Sequence, residues 1–284
     1  MITLFTVPRA FRDPFNIPQR NSLKSWTLLR PKCEIILFGN EEGVAEVAAE
    51  FCVRHVPEIE LNEFGTPVIG VTVNMARKLA SNPIIGQLTS DIILFSNFTK
   101  AVSKINAENF LMVGRRWDLN VEEEIDFNDD NWEEKLQEKL RKEGKLHGPS
   151  AIDYFVFSKD FFGEIPPFII GSPGPDNWMI YHARSVRIPV IDVTHEVTVI
   201  HQDHDRPRKE TKFYKIERQR TFELAGGFNS MCSLQDADWI LTSKGLEKPP
   251  FPRRIISELT LFKPWRYLVT LKRKIQKYFK TSYY

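Results

Sequence analysis

Short apolar runs, each closed by turn residues, recur through the first part of the chain. The runs Ile2–Val7, Cys33–Gly39, Ile84–Phe95 and Phe110–Val113 have the length and composition of buried strands. Helices are predicted between them, at Asn21–Leu29, along the stripe of Val44, Val47, Ala48 and Phe51, and from Thr66-Pro67 to Ala80. Alternating strands and helices predict a mostly parallel sheet flanked by helices, which places ligands beyond the carboxyl ends of the strands.

The second half of the chain shows a more mixed pattern. Asp118–Glu134 contains a dense acidic run, which predicts a solvated loop and leaves cation binding as the alternative. An amphipathic helix follows from Trp132 and ends at Gly144. The other predicted elements are strands at Asp153–Ser158, Val186–Thr194 and Val197–Gln202, an exposed linker at Arg206–Lys212, a helix at Asn229–Thr242, and an amphipathic helix after Pro264.

Composition is that of an ordinary globular protein, but its charge is unevenly distributed. The 284 residues carry a formal net charge of +2 and three cysteines, without a C-x-x-C pair, so we expect a reducing cytoplasm and no disulfide framework. No run is long enough to span a membrane, and the amino terminus does not have the pattern of a signal peptide. Residues 251–284 contain nine basic residues against Glu258 alone, which indicates an anionic surface as partner.

Potentially reactive side chains concentrate between Gly171 and Asp205. Asp176, Asn177 and Trp178 follow a Gly/Pro-rich turn, and His201 to Asp205 close the second of two apolar runs. Carboxylate, indole and imidazole groups together suit a metal-assisted transfer reaction on a polyhydroxylated substrate. Each residue also has a structural interpretation: a turn aspartate, a core tryptophan, and histidines that only pack or hydrogen-bond.

Two further groups lie beside predicted strands: Asp91 stands before or within the apolar run Ile92–Phe95, and Arg115-Arg116 follow Phe110–Val113. Asp91, in Thr89-Ser90-Asp91, is placed to hold Mg²⁺ or Mn²⁺ with phosphate and water completing the coordination, unless it only caps a turn. Arg115 and Arg116 close another strand, with Trp117 and Asp118 next in the chain. Arginines there could clamp phosphate, and a surface pair is the alternative.

The order of these elements resembles that of GT-A-type nucleotide-sugar glycosyltransferases, specifically the family-2-like members. The resemblance runs from about residue 2 to residue 205. It rests on the opening strand with Pro8 and Arg9, on LFGNEEG at 37–43, NEFGTP at 62–67, TSDIIL at 89–94 and VGRRWDLN at 113–120, and on the segment from Gly171.

The resemblance implies a role for each matching position. Asp91 takes the place of the second carboxylate of a DxD-type metal motif, with Thr89 where the first aspartate often stands, which leaves metal-independent transfer open. His201 resembles the late histidine of the metal shell, and His204 is a further candidate ligand. Asp176 matches an acidic motif and would be the catalytic base. The implied donor-binding residues are Pro8, Arg9, Asn40, Glu42, Thr89, Ser90 and Asp91, and the implied acceptor-binding residues are Arg115, Arg116, Trp117, Asp118, Asn177 and Trp178.

These inferences together predict an α/β, GT-A-like fold in three parts: a donor-binding part (1–120), an acceptor and catalytic part (121–210) that is continuous with it, and a helical extension (211–284) with a basic amphipathic helix. The predicted function is glycosyl transfer from a nucleoside diphosphate sugar to an acceptor hydroxyl, assisted by Mn²⁺ or Mg²⁺. The acceptor would be a glycan or a lipid-linked molecule, and the basic helix would contact an anionic membrane from the cytoplasmic side rather than nucleic acid. The alternatives are a nucleotidyltransferase and a noncatalytic module that binds glycan or nucleic acid.

Overall fold

A large, mostly parallel sheet with helices on both faces organises the molecule. The computed structural model describes residues 1–161, 163–203, 212–227 and 230–261. In chain order, the strands of this part are β1 (Ile2–Thr6), β2 (Glu34–Phe38), β3 (Arg54–Val56), β4 (Ile84–Leu88), β5 (Ile92–Leu94), β6 (Leu111–Val113), β7 (Trp117–Leu119), β8 (Lys145–Leu146), β9 (Tyr154–Ser158), β10 (Val190–Asp192), β11 (Val199–Gln202), β12 (Trp239–Thr242) and β13 (Gly245–Glu247). The helices are α1 (Asn16–Thr27), α2 (Val44–Glu50), α3 (Ile69–Leu79), α4 (Asn97–Lys104), α5 (Trp132–Glu143), α6 (Pro175–Ser185), α7 (Lys212–Leu224) and α8 (Phe251–Leu261).

Within these ranges, nine strands form the main sheet, in the spatial order β13-β12-β10-β6-β9-β4-β1-β2-β3. Neighbouring strands are parallel, except that β9 runs antiparallel to both β4 and β6, and the edge strand β13 is antiparallel to β12. All residues of β1 and β9 are buried, as strands covered on both faces require. The predicted α/β class with a mostly parallel sheet is therefore confirmed.

A second, smaller sheet lies beside the main one, in the order β5-β11-β7-β8. Its core combines Ile93, Leu119 and Ile200 with Leu136 and Leu140 of α5. In the middle of this sheet, His201 of β11 pairs with Ile92 of β5 on one side and with Asp118 of β7 on the other. This pairing brings together segments that are far apart in the chain.

The predicted strand Ile84–Phe95 is two strands in the structure. The chain leaves the main sheet after β4 and enters the second sheet at β5, with Thr89-Ser90-Asp91 between them. Thr89 N donates to the carbonyl of Asp153 at 2.9 Å, so the break is anchored to the residue that precedes β9. Asp91 consequently lies at the junction of the two sheets.

The predicted strand Val186–Thr194 is shorter than expected because a helix precedes it. Helix α6 begins with Pro175 in its first turn, and Gly174 adopts a φ of +109° at the N-cap position. Proline is favoured in the first turn because that position needs no backbone N–H. The Gly/Pro-rich turn therefore starts a helix, and only Val190–Asp192 form a strand.

The region after residue 211 also differs from the prediction. The predicted helix Asn229–Thr242 is wrong, since Leu234–Asp236 form a 3₁₀ turn and Trp239–Thr242 form β12. Strands β12 and β13 extend the main sheet, so the described part of 211–261 is not purely helical. Most of the linker Arg206–Lys212 and the helix predicted after Pro264 lie outside the described residues. No described helix is both long and apolar enough to cross a bilayer.

Candidate active site and metal centre

The carboxyl edge of the main sheet collects most of the predicted site residues. Strands β1, β2 and β4 are parallel, and they lead into Pro8-Arg9, Gly39-Asn40 and Thr89-Ser90-Asp91 respectively. Strand β9 runs the other way, so Asp153, which precedes it, lies at this same edge. The parallel register is thus the physical reason why these separate segments meet.

Gln19 of α1, which the sequence analysis missed, connects two of the predicted donor-binding segments. Its Oε1 accepts from Arg9 N at 2.8 Å and from Ser90 Oγ at 2.7 Å, while its Nε2 donates to Arg9 O at 3.0 Å. Gln19 is buried. These bonds fix the distance between the Pro8-Arg9 turn and the segment before Asp91.

The predicted donor-binding loop after β2 faces solvent. Gly39 and Gly43 adopt φ values of +95° and +82°, which a residue without a Cβ accommodates easily. Asn40 and Glu42 are exposed, and Glu42 lies 3.5 Å from Arg12. The loop is therefore accessible to a ligand, whereas its predicted role in binding the nucleotide stays a prediction.

A cluster of carboxylates and imidazoles surrounds His201, where the two sheets adjoin. His201 Nε2 lies 3.3 Å from Asp91 Oδ2, and its Nδ1 lies 3.6 Å from Asp118 Oδ1. Asp203 Oδ1 lies 4.0 Å from the same Nδ1. The imidazole is buried, and Asp118, His201 and Asp203 present ligand atoms within 4.8 Å of one another, as a shared metal ion would require.

Donor chemistry in this cluster fits a divalent cation. Carboxylate oxygens with one imidazole nitrogen suit Mn²⁺, and Mg²⁺ also accepts one or two carboxylates. A histidine that binds a metal through one ring nitrogen commonly meets a carboxylate at the other, which is how His201 stands between Asp91 and Asp118. The structure thus brings together two of the three predicted ligands, Asp91 and His201; the third, His204, lies outside the described residues.

Asp118 was predicted to bind the acceptor, but its side chain is held inside this cluster. Arg116 Nε donates to Asp118 Oδ1 at 2.9 Å, and His147 Nδ1 lies 2.6 Å from Asp118 Oδ2. Burial raises the pKa of Asp118, but the His147 hydrogen bond and the Arg116 charge outweigh it and hold the pKa below its usual range. Asp118 is therefore ionised at neutral pH and contributes negative charge beside His201.

The two predicted arginine clamps are engaged within the protein. Arg116 is 3% exposed and pairs with both Asp118 and Asp153. Arg115 Nε donates to the carbonyl of His147 at 2.5 Å. Burial lowers the pKa of Arg116, but the two carboxylates more than compensate and raise it. Neither arrangement points to a free phosphate clamp, and their predicted ligand contacts stay untested.

Asp176, the predicted base, lies in the first turn of α6 and near the same edge. Its Oδ2 accepts from Ile152 N at 3.3 Å, one residue before Asp153. Burial raises the pKa of Asp176 to about 6, and the charge of Asp153 adds to the effect against several backbone hydrogen bonds. The segment Ile152-Asp153 thus contacts both Asp176 and Thr89, which lies two residues before Asp91.

The other predicted acceptor residues have mainly internal contacts. Asn177 Nδ2 donates to the carbonyl of Cys232 at 2.8 Å, and Trp178 is 7% exposed. The Trp178 ring stacks on His182 with a centroid distance of 4.6 Å and meets Phe168 edge to face. Trp117 is partly buried against the core of the second sheet. A sugar-stacking role for Trp178 therefore has no support from its placement.

Sequence reasoning missed Asp153, His147 and Glu217. Asp153 was only the start of a predicted strand, and His147 was not considered, although both contact the cluster. Glu217 of α7 is 3% exposed, and its Oε1 has no hydrogen-bond partner within the described chain. A charged residue at the first position of a buried strand was the available signal for Asp153; no local pattern marks the other two.

Comparisons with known proteins bear on the fold. No protein-family model matches the sequence, and no curated protein matches it. The structure is similar to three solved structures: S. aureus TarS 1–349 with UDP-GlcNAc (10% identity, 79% of this chain and 66% of that chain, TM-score 0.50), glucosyl-3-phosphoglycerate synthase from Mycobacterium tuberculosis with Mg²⁺ and UDP (14%, 80% and 80%, 0.47), and a mannosyltransferase from Pyrobaculum calidifontis with GDP-Man and Mn²⁺ (13%, 79% and 63%, 0.48). The likeness to TarS shows a shared fold, and the chain has the predicted GT-A-type architecture.

Proposed function

We propose that the chain is a glycosyltransferase that moves a sugar, a hexose or a related unit, from a nucleoside diphosphate sugar to an acceptor hydroxyl. The observation on which this depends is that Asp91, His201 and Asp118 lie together where the second sheet adjoins the carboxyl edge of the main, GT-A-type sheet. The similar TarS structure is a complex with UDP-GlcNAc, which supports a nucleotide sugar as donor. Residues 1–120 would supply most of the donor site, 121–210 the acceptor and catalytic side, and 211–284 the extension.

His201 would hold Mn²⁺ or Mg²⁺ in one of two ways. Asp91 would be the second ligand at Nε2, with Asp118 orienting the ring from the other nitrogen, or Asp118 and Asp203 would join His201 Nδ1 as ligands. When bound, the cation would stabilise the negative charge of the departing nucleoside diphosphate. Gln19 holds Arg9 and Ser90 in place, and Pro8 precedes Arg9 in the same turn. Together with the exposed Asn40 and Glu42 they would bind the donor.

Asp176 would remove the proton of the acceptor hydroxyl as its oxygen attacks the anomeric carbon. A general base must be ionised, and a pKa of about 6 leaves Asp176 mostly deprotonated at pH 7 while it stays basic enough to accept a proton. Its position in the first turn of α6 favours the ionised form through the helix dipole. The rate should therefore decline as the pH falls below about 6, and Asp176→Asn should abolish transfer.

Thermal unfolding with nucleotide ligands tests the donor and metal assignments. A ligand that binds only the folded state raises the melting temperature by mass action, and we expect several degrees from UDP, GDP or one of their sugar conjugates with Mn²⁺. Asp91→Ala should reduce this shift, whereas Asp160→Ala, an exposed turn residue, should not. An equal shift in Asp91→Ala and the parent protein would refute the metal assignment.

The released product separates the proposed reaction from the other enzyme class. A glycosyltransferase releases a nucleoside diphosphate from a sugar nucleotide, whereas a nucleotidyltransferase releases pyrophosphate from a nucleoside triphosphate. Detection of pyrophosphate alone would replace the proposal. Retained glycan binding by Asp176→Asn, without turnover of any sugar nucleotide by the parent protein, would instead indicate a binding module.

We further propose that the basic carboxyl-terminal segment contacts the cytoplasmic face of an anionic membrane, near a lipid-linked or polymeric acceptor. The supporting observations are the nine basic residues of 251–284 and the exposed Phe251 and Ile255, which lie one turn apart on α8. Sedimentation with phosphatidylserine vesicles should exceed that with neutral vesicles and should weaken with salt. Equal sedimentation with both vesicle types would contradict an electrostatic contact.

A further inference from the structure

Arg116 is the residue through which the metal cluster and the base are connected. One side of its guanidinium donates to Asp118 Oδ1 at 2.9 Å, and the other side is in direct contact with the Asp153 carboxylate. With 3% exposure, the guanidinium is withdrawn from solvent. Because a guanidinium offers several donors in a planar fork, it can serve two carboxylates at once, which a lysine ammonium does less well.

Asp153 occupies the position between this arginine and Asp176. Its carbonyl accepts from Thr89 N, and the preceding residue, Ile152, donates its N–H to Asp176 Oδ2. The Asp153 carboxylate raises the pKa of Asp176. On helix α7, Thr221 Oγ1 contacts Ser172 Oγ just before α6 at 3.1 Å.

The Asp153 carboxylate and the Arg116 guanidinium have opposite effects on the ionisation of Asp176. An uncompensated carboxylate near Asp176 would disfavour its ionisation, since like charges a few ångströms apart interact strongly in a partly buried site. Arg116 contacts the Asp153 carboxylate and offsets its charge, which would make Asp176 easier to ionise than it would be beside an unpaired Asp153. The same two contacts direct Nε and Nη1 of the guanidinium at carboxylates of the protein.

We propose that Arg116 and Asp153 form a positioning pair for Asp176, in which the guanidinium neutralises the carboxylate beside the base and ties it to the metal cluster through Asp118. The pair acts through Asp176 and touches no substrate. This inference rests on the proposed role of Asp176 as base, and it adds that the ionisation of that base is controlled by two residues that precede β7 and β9.

The test combines Arg116→Met, Asp153→Asn and the double variant, with Arg116→Lys as the conservative replacement and Arg141→Met, an exposed residue of α5, as control. The direct measurement is a ¹³C NMR titration of the Asp176 carboxyl in protein labelled at aspartate, assigned with Asp176→Asn. It requires neither substrate nor metal. The second measurement is the pH dependence of sugar-nucleotide turnover.

Arg116→Met should shift the titration midpoint of Asp176 upward by about one pH unit, and Asp153→Asn should shift it downward. The double variant should resemble Asp153→Asn, because the guanidinium acts by compensating that carboxylate. Arg116→Lys should fall between the parent and Arg116→Met, and Arg141→Met should match the parent. If Arg116→Met does not fold, the downward shift in Asp153→Asn and the intermediate shift in Arg116→Lys still test whether the pair controls the titration of Asp176.

The NMR titration tests the Arg116–Asp153 pairing, and the turnover assay tests the proposed function separately. An unchanged titration midpoint in both Asp153→Asn and Arg116→Lys would overturn the pairing, whatever the enzyme does. The expected NMR shifts without any turnover of sugar nucleotides would retain the pairing and reject the proposed function. A purely structural role of Arg116 would lower the melting temperature and leave the acidic limb of the pH profile in place.

Discussion

At the scale of single residues, the close approach of Tyr154 to Gly114 predicts that a larger residue at position 114 destabilises the core. A Cβ at Gly114 would lie 2.1 Å from the Tyr154 hydroxyl, and Tyr154 is fully buried. Gly114→Ala should therefore lower the free energy of unfolding by about 1–3 kcal/mol, the usual cost of overpacking a core. Chemical denaturation measures this difference.

The matched control is Gly148→Ala, since nothing lies within 4 Å of a Cβ at that position. It should leave stability nearly unchanged. Tyr154→Phe in the Gly114→Ala background should restore part of the loss, because it removes the clashing oxygen. If Gly114→Ala is as stable as Gly148→Ala, the backbone or the Tyr154 side chain must shift to accommodate the added Cβ at little cost in free energy.

Glu217 illustrates a residue whose burial lowers stability. Its carboxylate is 3% exposed and has an Oε1 without a hydrogen-bond partner in the described chain. Leaving a buried polar group unsatisfied costs about 1–3 kcal/mol, more if it is charged. Glu217→Gln should therefore raise the melting temperature, whereas Glu138→Gln, the same change at an exposed position of α5, should not. A lower melting temperature for Glu217→Gln would indicate that the charge stabilises the fold.

Residue roles were the part of the site that sequence reasoning predicted least well. Asp91 was identified from its place before or within a predicted strand, and His201 from its place at the end of another. The structure brings the two side chains within 3.3 Å of each other. Asp118 was predicted to bind the acceptor because nothing in the segment VGRRWDLN shows that Asp118 pairs with His201 across the second sheet. Contacts between strands depend on register, and local patterns do not encode the register of distant strands.

At the scale of elements, Gln202 joins α1 to the second sheet behind the metal cluster. Its Nε2 donates to Pro18 O at 2.7 Å, Ser22 Oγ at 3.0 Å and Asp91 O at 3.1 Å, and its Oε1 accepts from Asn21. The side chain is fully buried. The backbone of Asp91 is thereby tied to the strand that carries His201.

Replacing this amide by a carboxylate should separate the two elements. Gln202→Glu turns a donor into an acceptor that faces two carbonyls, so we expect a loss of about 2–4 kcal/mol in unfolding free energy. Calorimetric titration should also show weaker Mn²⁺ binding, because Asp91 loses its anchor. Gln137→Glu, on a partly exposed position of α5, should change neither quantity; an equal effect of both substitutions would argue against a specific anchor.

Strands formed by buried apolar runs were predicted well. Elements that begin at a Gly/Pro turn or lie at the edge of the sheet were not. Strands β1, β2 and β6 are buried apolar runs, which explains the success there. In contrast, Gly174 and Pro175 were taken as a flexible turn, although a proline in the first turn also signals a helix start. Residues 239–242 were assigned to a helix because short apolar runs at a sheet edge do not differ locally from helical segments.

At the scale of the whole molecule, the site exists only where the two sheets adjoin. Asp91 immediately precedes β5, whereas Asp118 lies within β7 and His201 within β11, and the second sheet brings these distant segments together. The fold class was predictable because alternating strands and helices have few stable arrangements. The second sheet was not predicted, since its strands are two to four residues long and none shows a clear alternation.

Two carboxyl groups should make the free energy of unfolding depend on pH in opposite directions. Burial raises the pKa of Glu34, but hydrogen bonds from Thr3 Oγ1 at 2.5 Å and Ser81 N at 2.7 Å outweigh it and lower the pKa. A lowered pKa means that Glu34 stabilises the fold above its unfolded pKa and loses this effect as the pH falls. For Asp176, with a pKa raised to about 6, folding favours the neutral form, so its contribution is lost as the pH rises through 6.

Two variants should therefore show opposite trends in urea unfolding from pH 4 to pH 8. Glu34→Gln should cost about 1 kcal/mol at pH 8, and the cost should shrink toward pH 4, because a partly exposed group contributes modestly. Asp176→Asn should raise the unfolding free energy by about 2 kcal/mol at pH 8 and much less at pH 4, since the amide removes a carboxylate that is ionised against its surroundings. A stabilisation by Asp176→Asn that is independent of pH would mean that Asp176 titrates normally, and it would then be too weak a base for the proposed role.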